Sequence, residues 1–150
     1  GGPIGLLRRY AATGVFEVVI THNRFTLLDR SAQPLLNDCA GAGIAVVNAA
    51  PFGSGLLAKG PYVTDRYFYQ SAPPQVIEAT ERIQAVCGRH GVPLAAAALQ
   101  FSLRDPRIAS TIVGITRPER VEQTLKLAKL PIPDSLWHEI DPAPVEVWLS

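Results

Sequence analysis

The chain has 150 residues, the length of one domain with a sizeable core, and its 47% hydrophobic and 18% charged content is that of a globular chain, not a disordered one. A formal net charge of +1 gives no electrostatic ground for nucleic acid or an anionic membrane as partner, and no apolar run is long enough to span a bilayer. Gly1-Gly2-Pro3-Ile4 lacks a basic region followed by an apolar core, so no signal peptide is visible and a cytoplasmic location is the default expectation. Cys39 and Cys87 lie far apart in helical apolar patterns and read as small buried thiols; neither has a neighbouring ligand pattern for zinc.

Taken in order, Gly1-Gly2-Pro3 is a turn. Ile4 to Thr13 has helical spacing, with Leu6, Leu7 and Tyr10 marking the buried side, and Gly14 stops it. Phe16 to Ile20 is a strand that ends in Thr21-His22-Asn23-Arg24. A helix from about Ala32 to Ala42 follows, with Asp29 or Ser31 as cap, Pro34 in the first turn and Gly43 at its end. Ile44 to Asn48 is a second strand and runs into Ala49-Ala50-Pro51-Phe52-Gly53-Ser54-Gly55. A long excursion, Lys59 to Pro74, carries Tyr62, Tyr67, Phe68 and Tyr69; loops of that length are usually functional or mobile, and the three tyrosine hydroxyls could line a pocket or simply pack within the loop. Helices over about Pro74 to His90 and Leu94 to Leu103 come next, and Asp105-Pro106 ends the second.

Ala109 to Val113 is short, β-branched and apolar, the pattern of a strand buried on both faces. Gly114 breaks it and Thr116-Arg117-Pro118-Glu119 opens a helix, with Thr116 or Arg117 at the cap and Val121, Leu125 and Ala128 on one side. Pro131-Ile132-Pro133 breaks that helix, Asp134 caps a short one through Ile140, and the Pro-rich tail from Asp141 is expected to lie across the body. Strands alternating with helices argue an α/β fold with a parallel sheet and right-handed crossovers. Three strands make a very small parallel sheet with two unpaired edges, so either a partner supplies more strands or the chain is part of something larger.

In parallel α/β folds ligands gather at the C-terminal ends of the strands. His22 there can act as an acid or base or stack on a ring, or be a plain hydrogen-bonded loop histidine. Gly53-Ser54-Gly55 permits close backbone approach to a ligand, or is a plain turn. Gly114 through Arg120 can form an anion site from helix N–H groups and arginines, or be an ordinary strand-to-helix turn. His90 and His138 read as surface residues. No nucleophile–base–orienter set is visible, and no catalytic or metal-binding residue is assigned.

Four segments together carry a resemblance. TIVGITRPERVEQTL resembles the final strand and cofactor-binding helix of the aldo-keto reductases, and VVNAAPFGSGLLAKGP their penultimate strand and pyrophosphate loop. VVITHNRFTLLDRSAQPLL is similar to the strand before that with its helix, and PLAAAALQFSLRDPRIASTIVG to the helix leading into the last strand. The wording of THNRFTLLDR and NAAPFGSGLLAKGP is similar to the aldose, L-fucose and pyridoxal dehydrogenase subgroup.

The resemblance implies a (β/α)₈ barrel that binds NADP or NAD, of which residues 1–150 would be the second, cofactor-binding half. It implies His22 at the nicotinamide carboxamide, where the family usually has glutamine. Ala49 stands where many members have the tyrosine that stacks on the nicotinamide. Ala50, Phe52, Gly53, Ser54 and Leu56 match the pyrophosphate loop, and Gly114, Thr116 and Arg117 the turn beside the adenosine phosphate. Arg120 matches the arginine near the 2′-phosphate or adenine. Gln123 and Thr124 match positions that often carry Glu and Asn against the adenine.

The family's catalytic Asp, Tyr, Lys and His have no match here. The implied activity is oxidoreduction of an aldose or another aldehyde or alcohol, with this chain inactive alone. The alternatives are a catalytically inactive half-barrel that self-associates as a structural or binding module, and another phosphate-binding barrel such as an aldolase or isomerase. No strand here ends in the lysine an aldolase would use.

Overall fold

The computed structural model describes residues 2–140; the tail from Asp141, expected across the body, lies outside them. The elements in order are α1 (Ile4–Ala11), β1 (Val18–His22), α2 (Gln33–Ala42), β2 (Ala45–Ala49), a 3₁₀ turn (Gly53–Gly55), α3 (Leu56–Lys59), β3 (Arg66–Tyr67), β4 (Gln70–Ser71), α4 (Pro74–Arg89), α5 (Leu94–Leu103), β5 (Ile108–Ile112), α6 (Glu119–Lys129) and α7 (Asp134–Ile140). The main sheet has the order β1-β2-β5 and is parallel throughout, as alternating strands and helices require. β3 and β4 form a small antiparallel hairpin inside the excursion after α3.

Register fixes what each face carries. Thr21 lies beside Asn48, and Asn48 beside Thr111. This row faces the helices, where Asn48 Nδ2 donates to the Phe25 carbonyl at 2.8 Å and to Ser102 Oγ at 2.8 Å, and Ser102 Oγ and Thr111 Oγ1 share a 2.7 Å hydrogen bond. Between β2 and β5 the pairing steps from Val46–Ile108 to Val47–Ser110, so Ala109 is an extra residue, a bulge near the start of β5. The core lies on this side, built from Leu27, Leu28, Leu35, Leu36, Leu56, Leu57, Val76, Ala96, Ala97 and Leu136, all fully buried.

The other face is bare. Val18 is 53% exposed, Ile20 43% and Ile112 48%, and they flank the half-buried Val47. β1 therefore alternates exposed and buried, and β5 has exposed residues at Ala109, Ser110 and Ile112, which corrects the expectation of strands buried on both faces. The physical reason is that the described helices pack on one side of the sheet only.

Leu6 and Tyr10 of α1 are exposed, not buried, and only Ala11 of that helix is fully covered. Val121 and Leu125 of α6 are exposed as well, and no residue of α6 is buried. α1 packs beside the edge strand β1 and against α2, whereas α6 packs against α5.

Other boundaries moved by small amounts. β1 begins at Val18, leaving Phe16 exposed; neither Asp29 nor Ser31 caps α2, whose cap position is Ala32. Asp29 Oδ1 instead accepts from the Ser31 N–H at 2.7 Å, a local turn that competes with capping. Pro118 stands at the cap position of α6 with no side-chain hydrogen bond, so neither Thr116 nor Arg117 caps it. His90 is half-buried with its Nε2 2.7 Å from Glu139 Oε1, not a free surface residue, whereas His138 is exposed. Cys39 and Cys87 are buried free thiols, as their apolar surroundings suggest.

Candidate functional site

A cavity of about 520 Å³ opens at the carboxyl ends of β2 and β5. Its floor is the turn after β2, an unusual stretch of backbone. Ala50 (φ +59°), Gly53 (+53°), Ser54 (+59°) and Gly55 (+101°) are all left-handed. Left-handed backbone costs an L-residue roughly 1–2 kcal/mol, so a short run of it persists only where surrounding bonds fix it. Here they do: the Ala50 N–H donates to the Ile112 carbonyl on β5, Gly53 N–H to Ala50, and Gly55 and Leu57 N–H to Phe52. Gly53 has a second constraint, since a β-carbon there would stand 2.9 Å from the ring of buried Tyr67.

One wall of the cavity is α6. Arg120, Gln123, Thr124 and Leu127 face it, the i, i+3, i+4, i+7 spacing of a single helical stripe. Lys59, from the end of α3, and Tyr69, from the β3–β4 hairpin, complete the rim. No aspartate or glutamate lines the cavity, so its two cations, Lys59 and Arg120, set its field. That is the electrostatic character of a site for an anion such as phosphate.

Seven of the twelve residues expected at a cofactor line this cavity: Ala50, Phe52, Ser54, Gly114, Arg120, Gln123 and Thr124. Five do not. Gly53 and Leu56 are buried beneath the turn and shape it from below. Thr116 and Arg117 are exposed outside the lining. The first turn of α6 also has fewer free donors than an open helix start, because Arg120 N–H bonds to the Arg117 carbonyl and Val121 N–H to that of Pro118.

His22 borders a neighbouring cavity instead, one of about 430 Å³ shared with Ile20, Arg24 and Phe68. It still reaches the first site through Tyr69. The Tyr69 hydroxyl is 3.1 Å from His22 Nε2, and the Tyr69 N–H donates to Ser54 Oγ at 3.1 Å. Burial holds the His22 imidazole below its usual pKa. Ala49, beside His22 and Ile112 in the register, is buried.

Lys59 is the site residue that sequence reasoning missed. Lys59 lies three residues past Leu56 in the same AAPFGSGLLAKGP stretch, where a cation next to a glycine-rich turn was a usable signal. Of the three excursion tyrosines that could line a pocket, Tyr69 lines this cavity and Tyr62 and Tyr67 do not; which one does so depends on the fold of the hairpin. Among the described residues no group of three or more His, Cys, Asp or Glu is arranged to hold a metal.

The chain is similar to known proteins in both sequence and fold. The chain is 37% identical over 136 residues to D-threo-aldose 1-dehydrogenase of a Pseudomonas species, covering 89% of this chain and 41% of that protein. It is 36% identical over 115 residues to pyridoxal 4-dehydrogenase of Microbacterium luteolum, covering 76% and 34% respectively. In fold it matches the aldo-keto reductase AKR11C1 from Bacillus halodurans (holo form) with a TM-score of 0.76 at 17% identity, over 99% of this chain and 50% of that one. The chain thus spans about two fifths and about one third of these two dehydrogenases and half of the solved reductase. The Aldo/keto reductase family model runs across residues 3–143, nearly the whole sequence, and the chain belongs to that family.

Proposed function

We propose that residues 1–150 are the C-terminal, cofactor-binding half of an aldo-keto reductase (β/α)₈ barrel, which binds NADP or NAD for oxidoreduction of an aldose or another aldehyde or alcohol. The observation that carries this reading is the carboxylate-free groove at the strand ends with Lys59 and Arg120 on its rim. Its residues fit a dinucleotide. Arg120 and Lys59 would hold phosphate, the turn through Ala50, Phe52 and Ser54, left-handed at Ala50 and Ser54, would let backbone approach the pyrophosphate, and Gln123 and Thr124 would meet the adenine. The bound nicotinamide would supply the hydride. The substrate class rests on the relatives named as aldose and pyridoxal dehydrogenases. No residue is given the catalytic proton transfer, and the chain alone is proposed to be inactive.

The aldo-keto reductase assignment takes the place of an aldolase or isomerase. A cytoplasmic setting is proposed with it, since the free thiols Cys39 and Cys87 suit a reducing compartment. No helix among the described residues is long and apolar enough to cross a membrane.

One observation favours a second component. The bare face of Val18, Ile20 and Ile112 and the unpaired edges of β1 and β5 call for a covering polypeptide, either a preceding half-barrel or a second copy. As a self-associated module without catalysis the chain would still need that cover. Light scattering with NADP and NAD titrated into the same sample tests both points. Saturable binding of either nucleotide supports the cofactor-binding half. A well-defined dimer with no nucleotide affinity would leave the structural module standing instead.

A further inference from the structure

The second cavity, about 430 Å³, has a composition of its own. Ile20 and Phe68 give it apolar walls, and Gly2 and Pro3 also line it. Its polar groups are His22 and Arg24, and no carboxylate lines it. The arginines Arg8, Arg89 and Arg107 are paired with Asp38, Glu139 and Asp105. Arg24 has no carboxylate against its guanidinium among the described residues; the group lies 5.6 Å from the centroid of the Phe68 ring. A guanidinium laid over an aromatic face keeps its edge donors available for a planar or tetrahedral anion, and it is already oriented to use them. An unpaired arginine beside an imidazole, in a recess with no acid, is a receptor for negative charge.

The two cavities border each other at one contact. Tyr69 lines the first, His22 lines the second, and their side chains are hydrogen-bonded. A small molecule seated at Arg24 would therefore lie next to whatever occupies the first groove.

We propose that this recess is an anion subsite, in which Arg24 and His22 hold the phosphate-ester or carboxylate group of a small substrate against the Ile20–Phe68 wall. Calling the ligand a substrate rests on the oxidoreductase reading above; the anion site itself does not.

The test is direct binding to the 150-residue chain at constant ionic strength, by calorimetry and by NMR of the backbone amides. The probes are glycerol 3-phosphate, glycerate and glycerol, which share a carbon skeleton and differ in charge. At least one anion binds with shifts at Ile20, His22 and Phe68, and glycerol does not. Binding of the phosphate alone or the carboxylate alone identifies which anion the site takes. Arg24→Gln lowers that affinity about tenfold or more, the scale of a lost charge-assisted contact, while Arg24→Lys keeps part of it. Circular dichroism of each variant confirms folding.

Equal binding of glycerol and the anions, or an anion affinity unchanged in Arg24→Gln, overturns the proposal. NADP titrated into the same samples separates the two readings. NADP binding without Arg24-dependent anion binding removes the subsite alone. Arg24-dependent anion binding without NADP or NAD binding removes the cofactor reading and leaves the subsite in place.

Discussion

The hydroxyl of Tyr69 stands 3.1 Å from Nε2 of His22, with the two rings nearly parallel at 13°. The residues are 47 positions apart, one at the end of β1 and the other at the tip of the β3–β4 hairpin. The contact pins the hairpin to the sheet rim and joins the two cavities. Because burial lowers the His22 pKa, the folded chain binds that proton less tightly than the unfolded chain. The imidazole should titrate in NMR with a midpoint below about 6.5, the ordinary histidine value. The sign for stability follows: the unfolded state takes up the proton first as pH falls, so stability declines below that value and is regained above it. The effect is small, since His22 is only partly buried. A midpoint above the ordinary value would show that the imidazole sits in a different environment.

The groove floor depends on a residue without a side chain. Gly53→Ala forces a β-carbon to 2.9 Å from the Tyr67 ring at a left-handed φ of +53°. Tyr67 is fully packed and cannot swing aside. A loss of about 2–4 kcal/mol combines overpacking with backbone strain. Gly55→Ala meets open space and carries only the conformational cost, roughly 1–2 kcal/mol. Urea unfolding of both variants reads the difference, and equal midpoints would remove the steric part of the explanation.

Arg120 distinguishes a nucleotide groove from a merely basic surface. Under the proposed function, Arg120→Ala weakens NADP or NAD binding by roughly 1.5–3 kcal/mol, the worth of a hydrogen bond to a charged group. Calorimetric titration measures it. An unchanged affinity would remove Arg120 from the nucleotide contacts.

Asn48 ties the sheet to its helices. Its amide donates to the Phe25 carbonyl and to Ser102 Oγ, and it is fully buried. Asn48→Ala should cost about 1–3 kcal/mol by leaving buried groups unpaired. Ser102→Ala in a double-mutant cycle should recover part of that loss, because the two changes remove one shared contact. Additive losses would mean the bond contributes nothing to stability.

Much of the architecture was legible because its signals are local. Gly43, Asp105-Pro106 and Pro131-Ile132-Pro133 punctuate the helices close to where they end, and the apolar runs gave three strands in parallel order. What the sequence could not supply was which apolar stripe finds a cover. Leu6, Tyr10, Val121 and Leu125 have the spacing of buried helix faces, but spacing does not say whether the covering surface belongs to the described part of the same chain. The site divides in the same way. The stripe Arg120, Gln123 and Thr124 follows from helical periodicity, whereas Tyr69 reaches His22 only because Phe68 and Tyr69 take left-handed backbone at the hairpin tip.

The turn from Ala50 to Gly55, with its four left-handed residues, also bears on speed. A hydrogen bond to Ile112 and others within the turn, all between groups of the chain itself, hold its shape. The entropy of ordering this segment is lost during folding and is not lost again when a guest arrives. Occupancy of the groove is thus set by encounter and escape, with no loop-ordering step at its floor to slow either one.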